Sequence, residues 1–122
     1  MDEMVRNTPL KDVKPMKVDV ESFIDMYNDD KAILLDIRMP FETAVWGVKF
    51  AKEIPYNELP DRLEELPKDK VIVCTCPMEY RASMAKEYLR YKGFDAKTLN
   101  GGLLALMARL KGGKAKDLHL NA

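Results

Sequence analysis

Two short apolar runs, AILLDI (Ala32 to Ile37) and KVIVCT (Lys70 to Thr75), constrain this chain more than anything else in it. Each is too short for a helix and apolar at consecutive positions, the pattern of a strand buried on both faces. Such a strand needs helices above and below it, so the runs predict a parallel sheet inside an α/β fold. The stretches between them agree. Asp19 is a natural N-cap for VESFIDMYND, whose Val20, Phe23, Ile24 and Tyr27 share one helical face and which should stop near Asp29 and Asp30.

Further elements follow from local chemistry. Lys17-Val18 reads as a short first strand. Pro40 favours the first turn of a short helix that closes near Gly47. A brief strand ends at Ile54, and a helix is expected through Arg62 to Leu66, stopping before Pro67. RASMAKEYLRYKG is a helix with Gly93 just past its end, DAKTL a strand, and NGGLLALMARLKGG a glycine turn and last helix. The Leu and Met stripe from Leu103 to Leu110 is core packing. Residues 1–16 form an irregular arm around Pro9 and Pro15, 17–111 the folded domain, and 112–122 a polar, Lys-rich tail expected to fray.

A chain of 122 residues has room for one core, and 47% hydrophobic with 33% charged residues describes a globular chain. Twenty basic residues balance twenty acidic ones, which removes the electrostatic case for a nucleic-acid or anionic-membrane partner. No apolar stretch approaches the roughly 20 residues that span a bilayer, and the acidic start lacks the features of a secretory signal, so a cytoplasmic location is expected. The two cysteines, Cys74 and Cys76, cannot make a disulfide framework, and the sole histidine, His119, lies in the polar tail. No metal or other cofactor is expected.

In an open parallel sheet, sites lie beyond the carboxyl ends of the strands, here the loops starting near Asp36, Cys76 and Asn100. The second of these holds the chemistry. Cys76-Pro77-Met78-Glu79-Tyr80 joins a buried strand to a helix that starts near Arg81. If the loop wraps that helix N-terminus, the backbone N–H groups of residues 77 to 81 converge above the Cys76 sulfur. Those groups, the helix dipole and the Arg81 guanidinium favour thiolate over thiol, giving a nucleophile that needs no histidine. A cation beside a helix N-terminus is otherwise unfavourable, which itself suggests an anion between them. Cys74, two residues earlier on the same strand face, reads as a small buried hydrophobe; its alternative role as a resolving thiol would require a strained ring.

These residues carry a resemblance. From about Val18 to Leu106 the chain resembles a single-domain rhodanese, a sulfurtransferase whose active loop opens with cysteine and closes with arginine at the sixth position, as Cys76 and Arg81 do. LLDIRMPFE is similar to the family's Asp-x-Arg and Glu segment, with Asp36, Arg38 and Glu42 in place. IPYNELPDRLEELPKDKVIV matches the stretch before the active strand, and LNGGLLAL the Leu-x-Gly-Gly turn. The resemblance implies a mainly parallel sheet of about five strands with helices on both faces.

It also implies a chemistry. Cys76 would take a sulfane sulfur as a persulfide and pass it to a thiophilic acceptor, with Arg81 assisting and Pro77, Met78, Glu79 and Tyr80 forming the substrate loop. Asp36 and Arg38 are expected to form a structural ion pair, with Glu42 in the same polar frame. The donor would be a small sulfur compound or a protein persulfide, and the acceptor a thiol or other nucleophile, possibly a protein's. Met78 and Tyr80 either give the pocket an apolar wall or are ordinary exposed loop residues.

The chain departs from the family at three places. WGVKFA puts Gly47 where a histidine is usual and Phe50 where a glycine is usual, and Glu79 replaces the common loop glycine. A carboxylate in an anion cradle opposes thiosulfate unless it points away. Two other readings therefore stay open: a catalytically silent binding or regulatory module, and phosphatase or arsenate-reductase chemistry, which usually needs a loop one residue longer.

Overall fold

The computed structural model describes residues 16–120. Nearly all of the N-terminal arm thus lies outside the described residues. Five strands form one sheet, β1 (Lys17–Val18), β2 (Ala32–Asp36), β3 (Lys52–Glu53), β4 (Val71–Thr75) and β5 (Ala96–Leu99), in the order β1-β5-β4-β2-β3. Every pairing is parallel, as the doubly buried strands require. The two apolar runs lie side by side at the centre, Leu35 opposite Cys74 and Asp36 opposite Thr75.

Alternation along the strands divides the core into two layers. Leu34 and Val73 face α1 (Val20–Asn28) and α4 (Gly102–Leu110), packing with Phe23, Ile24, Tyr27, Leu103 and Leu106. Leu35, Ile72, Cys74 and Cys76 face the other way, against Ala82, Ala85 and Leu89 of α3 (Tyr80–Tyr91). The small residues on α3 let it lie close to β4, which sets the height of its N-terminus above the strand end. α1 starts where expected, with the Asp19 carboxylate accepting from Ser22 N–H at 2.7 Å. α2 (Pro40–Val45) is a short surface helix with no buried residue.

Two expectations are corrected. Residues 56–65 form 3-10 turns, Tyr56–Asp61 and Leu63–Glu65, in place of an α-helix through Arg62 to Leu66. Pro60 removes an N–H from the segment, and the remaining bonds, such as Arg62 N–H to Leu59 and Leu66 N–H to Leu63, close over three residues. The start of the C-terminal tail also does not fray. It forms a 3-10 turn over Gly112–Asp117 and buries Leu118 in the α1 and α4 layer. Asn28 fastens it from both sides, donating to Asp117 O at 2.9 Å and accepting from His119 N–H at 2.7 Å.

Candidate active site

Cys76 follows directly on β4 and is 2% exposed. The loop after it turns its carbonyls toward the start of α4. Leu103 N–H donates to Cys76 O at 2.8 Å and Leu104 N–H to Pro77 O at 3.3 Å. Gly102 lies so close to the loop that an added Cβ would stand 1.9 Å from Met78 O and 2.7 Å from Cys76 O. With three successive carbonyls directed that way, the N–H groups that follow are left on the α3 side. Among the described residues no backbone carbonyl accepts from the N–H groups of Met78, Glu79, Tyr80, Arg81 or Ala82; the first such bond in α3 is Ser83 N–H to Glu79 O at 2.9 Å. Pro77 has no N–H, so the donor run starts at Met78, one residue later than expected.

The flanks of this loop are tied by ion pairs. On the β2 side, Arg81 grips Glu42 with two parallel bonds, Nη1 to Oε1 at 2.5 Å and Nη2 to Oε2 at 2.8 Å. Glu42 Oε1 also accepts from Met39 N–H at 3.1 Å, which fixes it to the first turn of α2. The Arg81 bonds, helped by the Met39 N–H, hold the Glu42 carboxyl at about 2 against an ordinary 4.5. Glu42 in turn raises the Arg81 pKa, chiefly through these bonds.

Below that clasp, Asp36 and Arg38 form the expected ion pair, 0% and 1% exposed. Arg38 Nη2 donates to Asp36 Oδ2 at 2.8 Å, and its Nε lies 3.0 Å and 3.1 Å from the two carboxylate oxygens. Trp46 closes the pair off from solvent. Its carbonyl accepts from Arg38 Nη2 at 3.2 Å, and its ring centroid lies 3.9 Å from the guanidinium carbon. Both Asp36 oxygens and the Arg38 Nε and Nη2 donors are thus paired within the protein.

On the β5 side, Glu79 is drawn out of the loop toward β1. Lys17 Nζ lies 2.8 Å from Glu79 Oε1, a buried oxygen that no hydrogen bond reaches among the described residues, and holds the carboxyl below its usual range. Of the other departures, Gly47 directly follows Trp46, and Phe50 lies in the α1 layer. Phe50 packs edge-on against Tyr27 at 5.7 Å, extending the α1 layer.

Met78 and Tyr80 are 70% and 81% exposed, so they form an outer rim and no enclosed apolar wall. Cys74 is fully buried, and burial pushes its thiol up to about 12 despite the opposing pull of Lys86. Four contributors were not singled out from the sequence: Lys17, Trp46 and the N–H groups of Leu103 and Leu104. Local pattern could not have found Lys17, because a strand pairing across the chain, Val18 with Leu99, brings it to the loop.

Known proteins share this fold. The Rhodanese-like domain family matches residues 19–109. A protein of Allochromatium vinosum named Sulfurtransferase is 34% identical over 91 residues, covering 73% of this chain and 85% of its own length. The crystal structure of a rhodanese-like domain protein from Staphylococcus aureus superposes with a TM-score of 0.66 at 27% identity, covering 74% of this chain and 89% of that one. That of reduced Bacillus anthracis CoADR-RHD does so with a TM-score of 0.66 at 35% identity, covering 77% of this chain and 17% of that one. The family match covers most of the chain and the fold superposes on these structures, and the chain belongs to the rhodanese-like domain family.

Proposed function

We propose that this protein is a sulfurtransferase that carries sulfane sulfur as a persulfide on Cys76. The observation that supports this most is the run of backbone N–H groups from Met78 to Ala82 without a carbonyl partner, at the end of the strand that bears Cys76. Such a run is a fixed set of donors for a small anion, and a terminal persulfide sulfur is one. In the first half-reaction the Cys76 thiolate attacks the sulfane sulfur of the donor. The donor's S–S bond breaks, its electron pair leaves with the departing thiolate or sulfite, and a new S–S bond forms to Cys76. In the second, an acceptor thiolate attacks the outer sulfur and the electron pair returns to Cys76. No cofactor and no net oxidation are needed.

The charges around the loop bear on the donor. Arg81 is engaged by Glu42, Arg38 by Asp36 and Lys17 by Glu79. With these cations neutralised, the site favours a protein persulfide, which carries one charge at the reacting sulfur, over thiosulfate, a dianion that gains most from an unpaired cation. The test is sulfur transfer to a thiol acceptor from each donor, with wild type, Cys76→Ser and Cys74→Ala. Transfer that vanishes in Cys76→Ser and survives in Cys74→Ala supports the reading; transfer that survives in Cys76→Ser refutes it.

The exposed Met78 and Tyr80 favour one other reading, a silent module whose loop contacts a partner. It predicts no transfer from any donor. Hydrolysis of a phosphate ester or reduction of arsenate in place of sulfur transfer would move the chemistry to the related oxyanion enzymes.

A further inference from the structure

Glu79 puts a carboxylate into the loop proposed to hold an anionic sulfur. An ionised carboxylate facing the same N–H groups as the Cys76 thiolate would compete for them and repel it. The geometry shows where the carboxylate goes instead. It reaches across β5 to the edge strand β1, where Lys17 Nζ lies 2.8 Å from its Oε1. The sheet order β1-β5-β4-β2-β3 places this pair and the Arg81–Glu42 clasp on opposite flanks of the β4 end. Glu79 thus lies on the far side of the β4 end from Arg81.

We infer that Lys17 is a positioning residue for the Cys76 chemistry: it holds the Glu79 carboxylate off the anion-binding loop and cancels its charge. The inference rests on the reading of Cys76 as the nucleophile. Lys17 touches no reacting atom and acts only through Glu79. Its side chain is 55% exposed on a two-residue edge strand, so its loss removes little packing. The role is specific to a chain with Glu79 in the loop, and a glycine there would leave Lys17 without a task.

The test is the rate at which Cys76 is alkylated by iodoacetamide, a neutral reagent that reports thiolate content, measured against pH in wild type, Lys17→Met, Lys17→Arg, Glu79→Gln and Lys17→Met/Glu79→Gln. In Lys17→Met the freed carboxylate should slow alkylation at pH 7 about tenfold and move the profile to higher pH, the low end of a neighbouring-charge effect because the pair is partly exposed. Lys17→Arg should restore most of the rate. Glu79→Gln should match or exceed wild type, and the double variant should match Glu79→Gln.

Superimposable wild-type and Lys17→Met profiles would overturn the inference. So would a double variant as slow as Lys17→Met, since Lys17 would then act independently of Glu79. If Lys17→Met does not fold, Lys17→Gln replaces it with the same expected slowing, and a Lys17→Gln profile superimposable on wild type would overturn the inference. Failure of the underlying reading shows separately, as a wild-type Cys76 that takes sulfur from no donor.

Discussion

Gly102→Ala tests whether the loop is held in place by the start of α4. The new methyl would meet Met78 O at 1.9 Å, Met78 C at 2.6 Å and Cys76 O at 2.7 Å, where contacts under 3.0 Å do not persist. The loop or the helix must therefore move by about 1 Å or more, which disrupts the Leu103–Cys76 and Leu104–Pro77 bonds at about 1 kcal/mol each. Gly102 also has φ +68°, a left-handed conformation that adds about 1–2 kcal/mol for alanine. Together these give about 3 kcal/mol, or about 15 °C in Tm for a domain of this size.

Gly93 supplies the control. It has φ +93° and nothing within 4 Å of an added Cβ, so Gly93→Ala carries the conformational cost alone, about 1 kcal/mol and about 5 °C. Differential scanning calorimetry measures both, alongside the rate of sulfur loading from polysulfide. A loop displaced by about 1 Å should load on the order of 100-fold more slowly in Gly102→Ala, while Gly93→Ala should load normally. A Gly102→Ala variant that melts within about 2 °C of Gly93→Ala and loads at the wild-type rate would refute the reasoning.

Three further outcomes follow from the charges and the second thiol. Glu42 is held at about 2 against 4.5, so its contribution to stability is complete above pH 4.5 and fades as pH falls toward 2. Tm measured from pH 7 to 2 should show a shallower acid limb in Glu42→Gln, with the remainder owed in part to Glu65, which Arg62 also holds at about 2. Asp36→Asn leaves the Arg38 guanidinium buried without its counter-charge and should cost about 3 kcal/mol in urea unfolding, most of it recovered in Asp36→Asn/Arg38→Met. Cys74, raised to about 12 from 9.0, favours the fold fully below pH 9 and loses that contribution as pH rises toward 12. Cys74→Ala should flatten the alkaline fall in the urea midpoint and leave sulfur loading intact.

The central strands were legible because burial on both faces leaves an unbroken apolar run, and the same fact fixed the parallel sheet and the site at its carboxyl end. Cys76 and Arg81 were legible because they bracket the short loop after a buried strand, whereas Asp36, Arg38 and Glu42 were picked out by the resemblance of LLDIRMPFE to a family segment. The segment around Pro60 was misread because its apolar spacing suits a helix, while the missing proline N–H tips the local balance to 3-10 turns. The tail was misread because its lysines hide one anchoring residue, Leu118, whose partners on α1 are distant in sequence. Lys17 and Trp46 reach the site only through strand pairing and the turn after α2. No local pattern records either. The same holds for the direction of Glu79, which decided whether its carboxylate opposes the anion or stabilises the loop.

The most direct measurement is the intact mass of the native protein after incubation with polysulfide and removal of excess donor, with the adduct located by peptide mapping. A single added sulfur on Cys76, lost on treatment with a thiol and absent from Cys74, is the predicted result. A chain that gains no sulfur from polysulfide, a protein persulfide or thiosulfate, or gains it on Cys74 instead, would contradict the account.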